Sequence, residues 1–169
     1  MKRAYDILTQ LLVTFGIIAF CFIIIIVADS TWKIPLHNYQ LRMMQKHFRS
    51  TMQSVHPMPS ELRAEIAEFG NFGNSNHCDY FVGEFRSSPL PKNKILEQYA
   101  AVATSSFIGN RLIETGVYFV DEDFFKKDYL LSEWLEKYLP DYPHITNENI
   151  YLIYSEDAMN PPDGDIRCH

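Results

Sequence analysis

The chain opens on an unbroken apolar run. From Ile7 to Ala28 the sequence ILTQLLVTFGIIAFCFIIIIVA carries no charge, and its polar side chains Thr9, Gln10 and Thr14 gather near one end. About 20 helical residues at roughly 1.5 Å each cross a bilayer core. The pattern predicts a transmembrane helix over 7–28 behind a cytoplasmic head of residues 1–6. A cleaved signal peptide fits less well, because its apolar core is shorter and Ile26 stands where a small residue is wanted. A lipoprotein signal wants a small residue before its cysteine, and Cys21 follows Phe20.

Beyond the run the periodicity changes. Leu41, Met44, Phe48, Met52 and Val55 step by three or four and predict an amphipathic juxtamembrane helix over 29–56, with Pro35 suited to its first turn. His56-Pro57-Met58-Pro59 ends it. Residues 61–69 read either as a helix capped by Ser60 and stopped by Gly70, or as a strand alternating Leu62, Ala64 and Ile66 with Glu61, Arg63 and Glu65. The hairpin context leans them to strand. A loop at 71–76, dense in Asn and Gly, leads into a strand from Asp79 to Arg86.

A helix from about Lys92 carries Ile95, Tyr99, Val102 and Ala103 on one stripe, and Asn110 and Gly116 bound the next turn region. Val117 to Val120 reads as a short strand. One further helix starts at Asp121-Glu122-Asp123, where acidic groups favour the dipole, and presents Leu131, Trp134, Leu135 and Tyr138. Ile150 to Tyr154 is a last strand, and the tail SEDAMNPPDGDIRCH reads as irregular. The expected class is α+β: an N-terminal transmembrane helix, then a small, mostly antiparallel sheet of three or four strands with helices on one face, the domain occupying 57–169.

Charge narrows the partners. Residues 29–111 hold nine Lys or Arg against seven Asp or Glu, whereas 112–169 hold four against thirteen. The acidic distal half argues against nucleic acid and against that half resting on anionic lipid. Basic residues flank the apolar run on both sides (Lys2 and Arg3; Lys33, Arg42, Lys46 and Arg49), so the positive-inside count leaves orientation open. The short head and the cysteines decide it. Two cysteines, Cys78 and Cys168, lie outside the run, and such a pair in so small a domain is most simply a disulfide in an oxidising compartment. The expected location is the cell (inner) membrane, single-pass, with the C-terminal domain periplasmic.

Two motifs stand out: Gly73-Asn74-Ser75-Asn76-His77-Cys78-Asp79-Tyr80-Phe81-Val82-Gly83-Glu84 with Arg86, and Asp165-Ile166-Arg167-Cys168. Together they resemble a group of uncharacterised bacterial single-pass membrane proteins. The resemblance implies a membrane-anchored, single-domain layout and carries no activity across.

The triplet His77-Cys78-Asp79 invites a chemical reading. In extended chain, neighbouring side chains point to opposite faces, so Cys78 faces away from His77 and Asp79 and would need a distant base such as His56, His144 or His169. A zinc set of His77, Cys78, Cys168 and His169 lacks spaced ligand pairs. A calcium set of Asp157, Asp163 and Asp165 lacks the ligand ladder of a calcium loop. These considerations leave no catalytic, metal or cofactor assignment, a Cys78–Cys168 disulfide, and His77 with Asp79 as a polar pair on one face. Tyr80, Phe81 and Phe85 read as core. The expected function is a membrane-anchored extracytoplasmic binding or scaffolding domain, held in the membrane through Ile7 to Ala28 and serving other envelope proteins. The alternatives are an envelope enzyme acting on lipid or cell-wall material, or a small-ligand sensor subunit.

Overall fold

The computed structural model describes residues 2–72, 77–105, 112–145, 148–160 and 165–168. The predicted 73–76 turn, Asn110, Asp163 and His169 lie outside the described residues. The elements run α1 (Lys2–Met52), β1 (Glu61–Gly70), β2 (Cys78–Ser88), α2 (Lys92–Tyr99), β3 (Ala103–Ser105), β4 (Leu112–Phe119), α3 (Asp123–Lys127), α4 (Tyr129–Tyr138) and β5 (Asn149–Asn160), with 3-10 turns at Tyr142–His144 and Ile166–Cys168.

The α+β class holds, but the sheet has five strands rather than three or four, in the order β1-β2-β5-β4-β3. Every neighbouring pair is antiparallel. The ambiguous 61–69 segment is strand β1. The uncounted strand is β3, whose three residues are too few to show a period. β5 also runs on to Asn160 instead of stopping at Tyr154. Two of its polar residues, Ser155 and Asp157, are buried rather than exposed, and Ser155 accepts from Thr104 Oγ1 at 2.8 Å.

Helices cover both faces, not one. On the first, Met44, Phe48 and Met52 of α1 pack with Ile95 and Tyr99 of α2 over Tyr80, Val82, Tyr151 and Ile153. On the second, Phe125, Leu131 and Trp134 from α3 and α4 pack over Ile66, Phe81, Phe85 and Leu152. β2 lies between the two layers and is buried along all its length. This explains why its sequence mixes apolar residues on both sides of the pleat. The expected single helix after Asp121 is two, because Asp128 leaves helical geometry and caps α4, accepting from the Leu131 N–H at 3.0 Å.

The segments expected as separate transmembrane and juxtamembrane helices form one helix of 51 residues, with Pro35 inside it rather than in a first turn. Proline removes one helical hydrogen bond and crowds the preceding turn. The helix continues there because external contacts hold the following turns: the Arg167 guanidinium donates to the Ile34 carbonyl at 3.4 Å and to Asn38 Oδ1 at 2.7 Å. The N-terminal part has no protein cover. Leu11, Leu12, Val13, Phe15 and Ile17, which point to different sides of the helix, are 57–73% exposed. Among the described residues no helix is long and apolar enough to cross a membrane, so the expected transmembrane helix is not found as such.

Cys78 and Cys168 form a disulfide with a Cα–Cα distance of 4.9 Å and a sequence separation of 90. Around it the C-terminal turn is knitted to the fold. Asp165, fully buried, accepts from the Arg167 backbone and guanidinium at 3.0 Å and 2.6 Å. Arg167 also lies over the Phe69 ring at 4.5 Å. The side-chain bond from Arg167 holds the Asp165 carboxyl below its usual range.

Reducing this bridge, or replacing Cys168 with serine, is expected to lower the unfolding free energy by about 4 kcal/mol on the loop-entropy argument. Urea unfolding with and without reductant measures it, and coincident curves would contradict the staple role.

Candidate functional site

β2 divides its chemistry between its two faces. Cys78, Tyr80, Val82 and Glu84 look toward α1 and α2, while Phe81 and Phe85 look toward α3 and α4. His77 and Asp79 come together as expected, with Nε2 to Oδ2 at 3.0 Å. Asp79 Oδ2 also accepts from the Phe72 backbone N–H at 3.3 Å, which closes the end of the β1–β2 hairpin. Cys78 is enclosed in the core on the other face and spent in the disulfide, so in this state it offers no thiolate to a substrate or metal. Cys78 therefore supplies no nucleophile to the His77–Asp79 pair. Of the proposed bases, His56 bonds Tyr99, His144 lies in the 3-10 turn after α4, and His169 is outside the described residues. Among the described residues no three His, Cys, Asp or Glu side chains gather as a metal set. Asp165, offered for calcium, is committed to Arg167.

Phe72 leads from this pair into a cavity of about 160 Å³. Its wall holds Phe72, Phe81, Tyr118, Trp134 and Tyr154, with Leu130 and Leu131 below. The rings form a connected stack: Tyr118 on Tyr154 at 4.9 Å and 18°, Tyr154 on Phe81 at 5.2 Å and 10°, and Phe81 on Trp134 at 4.3 Å. Phe72 meets Trp134 edge-on at 5.6 Å. Burial and the bond with Tyr118 raise the Tyr154 hydroxyl well above its ordinary pKa.

Two acids complete the lining. Asp128 uses one oxygen to cap α4. Glu156 is exposed as a residue, yet crowding of its carboxyl group by the wall, and secondarily the nearby Asp79 carboxylate, push its pKa above the usual range while His77 pulls it back. No described residue donates a hydrogen bond to that carboxyl group. Among the described residues no Lys or Arg lines the cavity.

Gly116 makes the stack possible. A Cβ there would meet the Tyr154 ring at 2.4 Å, so the ring lies directly over the β4 backbone.

The opposite face carries a buried polar network. Glu84 receives His56 Nε2 at 3.1 Å and Arg86 Nη1 at 3.4 Å. Arg86 Nε donates to Ser60 Oγ at 3.2 Å, Ser60 meets the Tyr151 hydroxyl at 3.0 Å, and His56 Nδ1 reaches the Tyr99 hydroxyl at 2.8 Å. Glu84 and Arg86 are 4% and 8% exposed, so each depends on the other for its charge.

The cavity residues were not singled out by sequence reasoning. Tyr118, Tyr154 and Phe81 alternate along three different strands, and only strand order reveals that they stack. No family model, no curated protein and no solved structure matches the chain.

Two outcomes follow from these geometries. Gly116→Ala is expected to displace the Tyr154 ring, shift the emission of Trp134 across the stack and destabilise the fold by about 1–3 kcal/mol as overpacking does; unchanged emission and stability would contradict the close approach. Arg86→Met is expected to cost about 3 kcal/mol by leaving the buried Glu84 with His56 alone and Ser60 without its guanidinium donor, and Glu84→Gln added to it is expected to recover part of that loss. A double-mutant cycle by chemical denaturation measures the coupling, and strict additivity would contradict it.

Proposed function

We propose that the protein is a membrane-anchored binding domain, with residues 7–28 spanning the inner membrane and residues 57–169 outside the cytoplasm. The observation that carries this reading is the exterior of α1. A helix whose aliphatic and aromatic side chains are exposed on every side is stable where the surrounding medium is apolar, and a contiguous apolar patch of this size in water marks a surface that something else covers. The run of 22 uncharged residues from Ile7 to Ala28 has the length of a bilayer core. Its Thr14 hydroxyl donates back to the Gln10 carbonyl at 2.9 Å, the way a helix satisfies a hydroxyl without water. The Cys78–Cys168 disulfide supports an oxidising compartment for the domain.

Between binding, enzymatic and sensing roles, a specific observation favours ligand binding: the aromatic cavity lies on the face of the sheet that α1 leaves free. A scaffolding role for other envelope proteins remains the second reading, favoured by the exposed apolar helix itself, whose surface could equally be covered by another membrane helix.

Alkaline carbonate extraction combined with a C-terminal alkaline phosphatase fusion tests the anchor and its orientation. The chain is expected in the carbonate-resistant pellet with an active fusion. Release into the soluble fraction, or an inactive fusion alongside an active cytoplasmic reporter, would overturn the reading.

A further inference from the structure

We propose that the cavity between α4 and the sheet is a binding site for a small organic ammonium group. The proposal rests on the binding reading above and names the ligand chemistry of that site. Five aromatic residues line one small chamber; the faces inside the Tyr118–Tyr154–Phe81 column are covered by one another, which leaves the outer Tyr118 face and the Trp134 ring to attract a cation that comes within about 6 Å of a centroid. Among the described residues, the charged ones in the lining are the acids Asp128 and Glu156, a balance that suits a cation better than an anion. A volume of about 160 Å³ suits a compact group, since a cavity of about 150 Å³ accommodates a ring the size of benzene.

Glu156 sits at the edge of the ring stack beside Phe81, its cross-strand partner, and opposite neither lysine nor arginine. An ammonium in the chamber would place a permanent positive charge near the Glu156 carboxylate, in addition to the nearby His77. An aromatic wall with a carboxylate at its lip is the arrangement that recognises weakly hydrated cations, because such ions lose little hydration on entry and gain from both the ring quadrupoles and the charge. A bare metal ion is poorly served, as the wall offers it few oxygen ligands.

The test uses the full chain in an uncharged maltoside micelle, with Trp32→Phe leaving Trp134 as the one tryptophan. Choline and propylammonium are titrated against fluorescence, beside 3,3-dimethyl-1-butanol, the uncharged analogue of choline. A saturable change with at least one ammonium, about tenfold tighter than with the alcohol, is expected on the size of a cation–aromatic interaction joined to a charge. Glu156→Gln is expected to weaken ammonium binding about fivefold or more and to leave the alcohol unaffected. Phosphocholine distinguishes sources: affinity equal to choline supports a headgroup, weaker affinity supports a free ammonium. Equal binding of choline and its uncharged analogue, or no saturable response to either ammonium at about 100 mM, would overturn the proposal, while the membrane extraction result would stand unaffected.

Discussion

The structure depends on the union of α1 with strand β2. Met44, Phe48 and Met52 are almost fully buried against the sheet, and each such side chain contributes about 1.5–3 kcal/mol by leaving water. That contact makes one rod of two stretches with opposite demands, one exposed and apolar, the other packed. It also covers the first face of β2, which turns an ordinary hairpin strand into one buried on both faces. Polar contacts line the same seam. Tyr80 donates to Gln40 at 2.5 Å and is bonded by His37, and Arg49 pairs with Glu65. They set the rotation of the helix about its axis, while the apolar stripe sets the depth.

The C-terminal turn completes this union. The disulfide joins Cys168 to the first residue of β2, and Arg167 beside it reaches across to α1 at Ile34 and Asn38. The conspicuous Asp-Ile-Arg-Cys motif is therefore a clasp with divided labour. Asp165 orients Arg167, Arg167 grips the helix, and Cys168 ties the turn to the sheet. The Gly-Glu-x-Arg portion of the longer motif works likewise, as Glu84 and Arg86 hold His56 and Ser60 where the chain leaves α1. Both motifs that attracted chemical readings are accounted for by assembly.

Much of this was legible in the sequence where a period was long enough to register. The stripe Leu41 to Val55, the strand at 79–86 and the disulfide emerged from spacing and cysteine count, and so did the opposed faces of Cys78 and Asp79. What failed was decided by tertiary partners. β3 is too short to alternate, and the second half of β5 looked like tail because Ser155 and Asp157 are polar, although the sheet buries both. Pro35 resembled a helix start because its restraint on the preceding turn is a local rule, overruled here by contacts from residues more than a hundred positions away. The cavity was illegible for a similar reason. Its rings come from β2, β4, β5, α4 and the hairpin end, and no segment contains more than two of them.

The position of the cavity limits how it could communicate. β2 presents Phe81 to the ring stack and, one residue either way, Tyr80 and Val82 to the packing of α1. A ligand among the rings therefore touches the strand that holds the helix without touching the helix. Any influence on α1 would have to pass through a displacement of β2, and coupling of that kind requires an element with two arrangements rather than simple proximity. β2 is poorly suited to move as a whole, since it is paired on both edges, packed on both faces and tied at its first residue by the disulfide. The one irregularity nearby is the slip in register between Cys78 and Tyr80, opposite Asp79. Bulges bend strands and re-aim side chains, and this one lies between the His77–Asp79 pair, the Glu156 carboxyl and the clasp on α1. If occupancy of the proposed site reaches α1, the physical route runs through that bulge, because β2 is otherwise held on both edges and both faces.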